Sequence, residues 1–304
     1  MLAQSAPDRH GLFLFLIPTL IWGTTWLVIK FQLGVVEPEV SVGWRFALAA
    51  ALLHGWCLVR GVSLRLPWRS HLELVLLGLL LFGINYVFTY RSEGYLTSGL
   101  VAVLFASMAF WNLLGARLFF GTRAPAAVLG GAALGVAGVA VLFWPELNGL
   151  RGGQGQATGI ALGLGGTLFA SAGNLYSQRL SGRGMPVVAS TAWAMGYASL
   201  AVLGWCVVRG LPLAFDARPP YVLSLLYLAL FGSVVAFVSY LTLIKRIGAG
   251  RSGYSAAVIP VVAMLASTLF EGYRWTAEAV AGLVLVSLGT VLTLRARERA
   301  TARV

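Results

Sequence analysis

Apolar residues run along this chain in long blocks, interrupted at short intervals by Arg, Lys, Pro and Gly. A helix crossing the hydrocarbon core of a bilayer needs about 20 mostly apolar residues. Taking charged residues as boundaries, the pattern predicts spans near 11–30, 38–59, 72–91, 95–117, 124–144, 158–178, 186–208, 221–244, 252–271 and 277–294. Ten helices with short connections leave no length for a soluble module, so the predicted fold class is an all-α membrane domain. The longest connections are 60–71, 145–157 and 209–220. Gly149, Gly152, Gly153 and Gly155 make the middle one read as a flexible link, dividing the chain into halves 1–148 and 149–304. The first block, Gly11 to Ile29, is long enough to span and no small-residue cleavage site follows it, so it reads as a retained helix.

The two halves share a pattern. A shift of 151 residues places Phe119, Gly121, Arg123, Gly131, Leu134 and Gly138 on Phe270, Gly272, Arg274, Gly282, Leu285 and Gly289. Glycines and an arginine in register weigh more than apolar matches, which chance supplies freely in such a chain. If each half holds five helices, the second must enter the membrane from the opposite side. Two inverted five-helix repeats are the architecture of many secondary transporters, with the substrate near the midplane between the halves.

Composition agrees with the spans. The 304 residues are 59% hydrophobic and 11% charged, with a mean hydropathy of +0.84, whereas soluble domains carry about 25% charged residues. The net charge of +12 does not call for a nucleic-acid partner, because it has a topological reading. With the N-terminus inside, cytoplasmic segments hold Arg9, Arg60, Arg65, Arg69, Arg117, Arg123, Arg179, Arg183, Lys245, Arg246, Arg251, Arg295, Arg297, Arg299 and Arg303. Lys30, Arg91, Arg151, Arg209, Arg218 and Arg274 fall outside. Basic residues in short loops favour the cytoplasm, so both termini are expected there. Cys57 and Cys206 read as small buried hydrophobes, and His10, His54 and His71 lack metal-ligand spacing. No cofactor is expected.

Candidate chemistry lies in the polar residues of the spans, which face a bundle interior or a cavity because lipid excludes them. In the sixth span Thr167, Ser171, Asn174 and Gln178 share one helical face. In the third, Asn85 and Thr89 form a stripe beside Tyr86, Tyr90 and Glu93. Trp22 and Thr25 in the first span, Ser107 and Asn112 in the fourth, and Ser233 and Tyr240 in the eighth add further polar groups. From these, the substrate-binding set is expected to comprise Trp22, Thr25, Asn85, Tyr86, Tyr90, Ser107, Asn112, Ser171, Asn174, Gln178 and Tyr240. Interhelical hydrogen bonding is the competing use for Ser, Thr and Asn in membrane bundles. Trp68, Trp144 and Tyr221, at span ends, read as interfacial anchors. Gly131/Gly135 and Gly159/Gly163 fit small-xxx-small helix contacts.

Arg45 is the clear charge inside a span. An unpaired Arg at the helix centre costs roughly 2.5–3.5 kcal/mol, so an acidic partner is expected among Glu37, Glu39 and Glu93. The residues Arg45 and Glu93 are read as a gating or structural ion pair, with contact to an anionic substrate as the alternative. No Asp or Glu lies near the middle of a span, where a proton-coupled pump generally needs a titratable group. Facilitative or exchange-type transport is expected, or coupling through an end-placed acid such as Glu93.

Several short motifs add a resemblance. Ile21-Trp22-Gly23-Thr24-Thr25-Trp26 with Ile29-Lys30 resembles the first helix of the EamA-type drug/metabolite transporters, a family of the DMT superfamily. Trp44-Arg45-Phe46, Asn85-Tyr86, Ser98-Gly99-Leu100, Phe119-Phe120-Gly121 and Ile259-Pro260 fit the same family in order and spacing. Ala109, Thr122 and Tyr273 depart from its usual Pro, Glu and acidic residue. The resemblance implies a ten-helix, two-repeat carrier of small metabolites, often amino acids or related compounds, usually moving them outward across a bacterial inner membrane. A lipid-carrier or amphiphile flippase is the nearest alternative, and a membrane sensory or regulatory protein a more distant one. An enzyme is not expected, since no Ser/His, Asp/Asp or His-metal constellation lies in a span. The expected partners are a small-molecule substrate and the lipid bilayer; monomer and homodimer both remain open.

Overall fold

A computed structural model describes residues 9–147 and 154–301. The dividing point expected at 148/149, with most of its glycines, lies outside the described residues. Ten helices follow in order: α1 Arg9–Lys30, α2 Pro38–Val59, α3 from Trp68 to Glu93, α4 from Ser98 to Phe120, α5 Ala126–Leu142, α6 Gln154–Gly182, α7 Val187–Val208, α8 from Pro219 to Ser252, α9 Ser255–Phe270 and α10 Ala277–Thr301. A single helical turn, Trp144–Leu147, follows α5. The chain is an all-helical multi-pass membrane protein. Seven of these helices are long and apolar enough to cross a bilayer, while Ala126–Leu142 and Ser255–Phe270 are apolar but shorter. The tenth, α6, has the length and carries the polar face read from the sequence.

Local chemistry sets the helix ends. Pro38 and Pro219 stand in the first turns of α2 and α8, where a missing N–H costs nothing. Gly121 and Gly272, partners under the 151-residue shift, both adopt left-handed φ, +66° and +68°. Each ends the fourth helix of its half, the conformation that glycine enters without a Cβ clash.

The inverted symmetry is visible in how α5 packs on α10. A Cβ added to Gly131 would lie 2.8 Å from the carbonyl of Gly289, and one on Gly138 2.7 Å from that of Gly282. The contacts are reciprocal: a Cβ on Gly289 would lie 2.6 Å from the Gly131 carbonyl, and one on Gly282 2.6 Å from that of Gly138. Under the shift, Gly131 corresponds to Gly282 and Gly138 to Gly289. Each glycine therefore touches the counterpart of the other, as a two-fold interface between antiparallel equivalents requires. Helices α2 and α7 cross in the same way, with Ser199 Oγ donating to the Gly43 carbonyl at 2.8 Å. The second expected glycine pair serves a different seam, Gly159 against Leu96 and Gly163 against Leu104.

Three local departures from regular α-helix were not predicted. In α3 the stretch Leu79–Ile84 is π-helical, and in α8 the stretch Tyr227–Val235. They occupy the same helix of each half. In α4 the helix breaks at Ser107, between Ser98–Ala106 and Met108–Phe120. π-Turns misalign backbone carbonyls, which side chains then satisfy. Asn85 Nδ2 donates to the Leu81 carbonyl at 3.0 Å, Ser233 Oγ to that of Leu228 at 3.0 Å, and Trp22 Nε1 to that of Gly232 at 3.1 Å.

One anchor reading fails. Trp68 and Trp144 are exposed, but Tyr221 is 2% exposed and its hydroxyl lies 3.1 Å from Ser41 Oγ. It closes the gap between α8 and α2 from within, because the first turn of α8 tucks against α2 rather than facing the interface.

Candidate functional site

The expected binding residues separate into two groups along the bundle. The first lies among α1, α2, α3 and α8. Arg45 is 2% exposed, with its guanidinium 4.7 Å from the Tyr86 ring centre and 5.4 Å from that of Phe46. Its Nη1 donates to Tyr90 Oη at 3.4 Å, and that hydroxyl donates to Gln32 Oε1 at 2.7 Å. Thr25 and Gly232 border the same place: a Cβ on Gly232 would lie 2.9 Å from Thr25 Cγ2 and 3.5 Å from Arg45 Nη2. Trp22 meets Tyr240 edge-on at 5.2 Å between ring centres.

Among the described residues none of the acidic partners expected for Arg45 pairs with it: Glu39 pairs instead with Arg91 at 2.5 Å, and neither Glu37 nor Glu93 comes within ion-pair distance of the guanidinium. Both carboxylate oxygens of Glu93 are buried without a hydrogen-bond partner. The group that meets Arg45 from α3 is Tyr90, one turn before Glu93.

The second group lies between α4 and α6. Ser171 Oγ donates to Asn112 Oδ1 at 2.8 Å, Ser107 and Thr167 face each other at 3.4 Å, and Asn174 Nδ2 reaches Met108 Sδ at 3.3 Å. The α6 stripe therefore divides. Thr167 and Ser171 hold α4, whereas Asn174 and Gln178 line a cavity of about 620 Å³ together with Asn112, Thr122 and Arg123. Its size suits a small ligand. Of the first group, Asn85 spends its amide on the π-turn and its carbonyl accepts Thr89 Oγ1 at 2.9 Å.

At the opposite end of α4 a polar lock joins four segments. Lys30, the last residue of α1, donates to the carbonyls of Glu93 and Leu96, the latter at 2.6 Å, and pairs with Glu271 at 3.6 Å. Glu271, at the end of α9, accepts the Ser98 backbone N–H at 3.0 Å and the Ser98 hydroxyl. A carboxylate at a helix N-terminus satisfies an orphan donor and complements the dipole; here it comes from a helix of the other half. The start of α4 lies about 20 Å from Asn112 at the rise of an α-helix. The bundle is thus tied at the Lys30 end and indented at the Arg123 end. Sequence reading missed this lock. Its signal was present in Ile29-Lys30 at a span end and in Glu271, which stands two residues before Tyr273, the place where the family usually has its acid.

Comparison with known proteins follows this geometry. The EamA-like transporter family matches twice, over residues 9–144 and 157–295. The chain is 32% identical over 282 residues to the uncharacterized inner membrane transporter YedA of Escherichia coli K12, covering 90% of this chain and 89% of that protein. It is 25% identical over 297 residues to a probable amino-acid metabolite efflux pump of the same strain, covering 94% and 95%. A crystal structure at 20% identity superposes with a TM-score of 0.67 over 96% of this chain and 99% of that one, which speaks to the fold alone. With two family matches spanning nearly all ten helices, the chain belongs to the EamA-like transporter family and is a membrane transporter, not an enzyme.

Proposed function

We propose that the protein exports small metabolites, such as amino acids or related compounds, by alternating access across a bacterial inner membrane with both termini in the cytoplasm. One observation carries the reading: the two ends of the inverted bundle differ, one tied by Lys30, Ser98 and Glu271, the other opening at Asn112, Asn174 and Gln178. Rocking the halves about their two-fold packing would exchange these states. The basic residues near the indented end, Arg123 among them, support a cytoplasmic position for it, where an exported solute is collected.

Transport runs as facilitation or exchange, since the spans carry no mid-membrane acid. Amides at the cavity favour a polar, water-borne solute over the amphiphile of a flippase, and the turn Thr122–Pro125 at its rim favours entry from water. The relatives named as amino-acid metabolite efflux pumps agree in direction and class. The test is a panel of radiolabelled amino acids and related metabolites in proteoliposomes. Counterflow of at least one solute is expected, reduced roughly tenfold or more by Asn174→Ala with Gln178→Ala, as loss of two ligand hydrogen bonds implies. Undiminished flux in the double variant would remove the cavity from the pathway.

A further inference from the structure

Arg45 has more donors than the protein uses. The guanidinium offers five N–H groups in a planar fork, and its one hydrogen bond, to Tyr90, is long at 3.4 Å. Its Nε is buried without any partner. Tyr86 and Phe46 stabilise the charge through its face, which leaves the N–H edge free. A second buried donor without a partner, Gln32 Nε2, stands across the Tyr90 hydroxyl, which binds Gln32 Oε1 and so fixes the amide.

Among the described residues no acid pairs with these donors. Glu39 is committed to Arg91, Glu271 to Lys30 and Ser98, and Glu93 is held apart. On the α8 side the neighbour is Gly232 in the π-helical stretch, where a Cβ would lie 2.9 Å from Thr25 Cγ2 and 3.5 Å from Arg45 Nη2, so α8 packs directly against this place and brings no charged side chain at that position.

We propose that Arg45, with Gln32, binds the carboxylate of the transported solute. This rests on the transporter reading above and names the solute's chemical class. The planar fork of N–H donors matches a bidentate carboxylate. The site lies beneath the lock: Tyr90, which holds Arg45, precedes Glu93 by one turn of α3, and the Glu93 carbonyl is tied to Lys30. An anion reaching Arg45 would draw on the same turn that closes that end.

The experiment uses the full chain in nanodiscs, titrating intrinsic tryptophan fluorescence with short-chain carboxylates and, in parallel, with inorganic phosphate. A saturable response to carboxylates is expected, weaker by roughly tenfold or more in Arg45→Gln, as charge-assisted hydrogen bonds imply. Gln32→Leu keeps the charge and removes the second donor, so it is expected to weaken binding severalfold while Arg45 stays in place. Absence of a carboxylate response, a response to phosphate alone, or unchanged affinity in both variants would overturn the assignment. In proteoliposomes, flux that ignores whether a solute carries a carboxylate would overturn it while leaving transport standing. A carboxylate response without flux of any solute would do the reverse.

Discussion

At the residue scale, the polar side chains of the spans divide by what they bond. Ser171 and Asn85 are occupied with their neighbours, whereas Asn174 and Gln178 line the cavity and Arg45 keeps its Nε without a partner. Glu271 belongs to neither group, because it bonds across the repeat boundary to Ser98 and Lys30. Glu271→Gln keeps an acceptor for the Ser98 N–H but loses the ion pair. The lock should then open more often: a cysteine at Ser98 is expected to react faster with a membrane-impermeant thiol reagent than in the Glu271 background, by several-fold. Unchanged labelling would mean that Lys30 and its two carbonyls close that end alone. The polar stripe of α6 was legible from its spacing, since side chains three and four apart share a face. What that spacing does not contain is the partner. The split of the stripe into a packing half and a cavity half depends on where α4 breaks at Ser107, and a single serine in an apolar run gives no sign of a break.

At the scale of elements, the glycines decide which helices can approach. Gly130 and Gly131 are adjacent in α5, yet a Cβ on Gly130 meets nothing within 4 Å while one on Gly131 meets Thr293 Oγ1 at 2.5 Å and the Gly289 carbonyl at 2.8 Å. Gly131→Ala is expected to destabilise the protein by about 1–3 kcal/mol through overpacking. Gly130→Ala should be neutral or favourable by up to about 1 kcal/mol, the helix-propensity difference. Thermal unfolding in detergent checks both, and equal effects would contradict the α5–α10 packing. The repeat itself was readable because its markers, Gly121 with Gly272 and Gly131 with Gly282, are required by left-handed φ and close backbone contact. The π-helical stretches in α3 and α8 were not. An all-apolar segment such as Leu79–Ile84 reads the same in either winding, and only the carbonyls claimed by Asn85, Ser233 and Trp22 reveal the difference.

At the scale of the molecule, two five-helix copies meet through α5–α10 and α2–α7 and enclose polar groups that neither copy could bury alone. The hydrophobic pattern located all ten helices, because lipid imposes both length and composition on a span, while α8 and α10 run past their expected ends at 244 and 294 to Ser252 and Thr301. The ends' opposite states needed the three-dimensional placement of Lys30, whose sequence position marks only a span boundary. Alternating access requires that the Lys30–Glu271 seam separate in each cycle. The most direct test replaces both residues with cysteine and joins them with a short, cleavable bifunctional thiol reagent, then follows solute flux in proteoliposomes. Flux is expected to stop when the seam is bridged and to return when the bridge is cleaved. Flux continuing at the unbridged rate with the seam held shut would contradict the account.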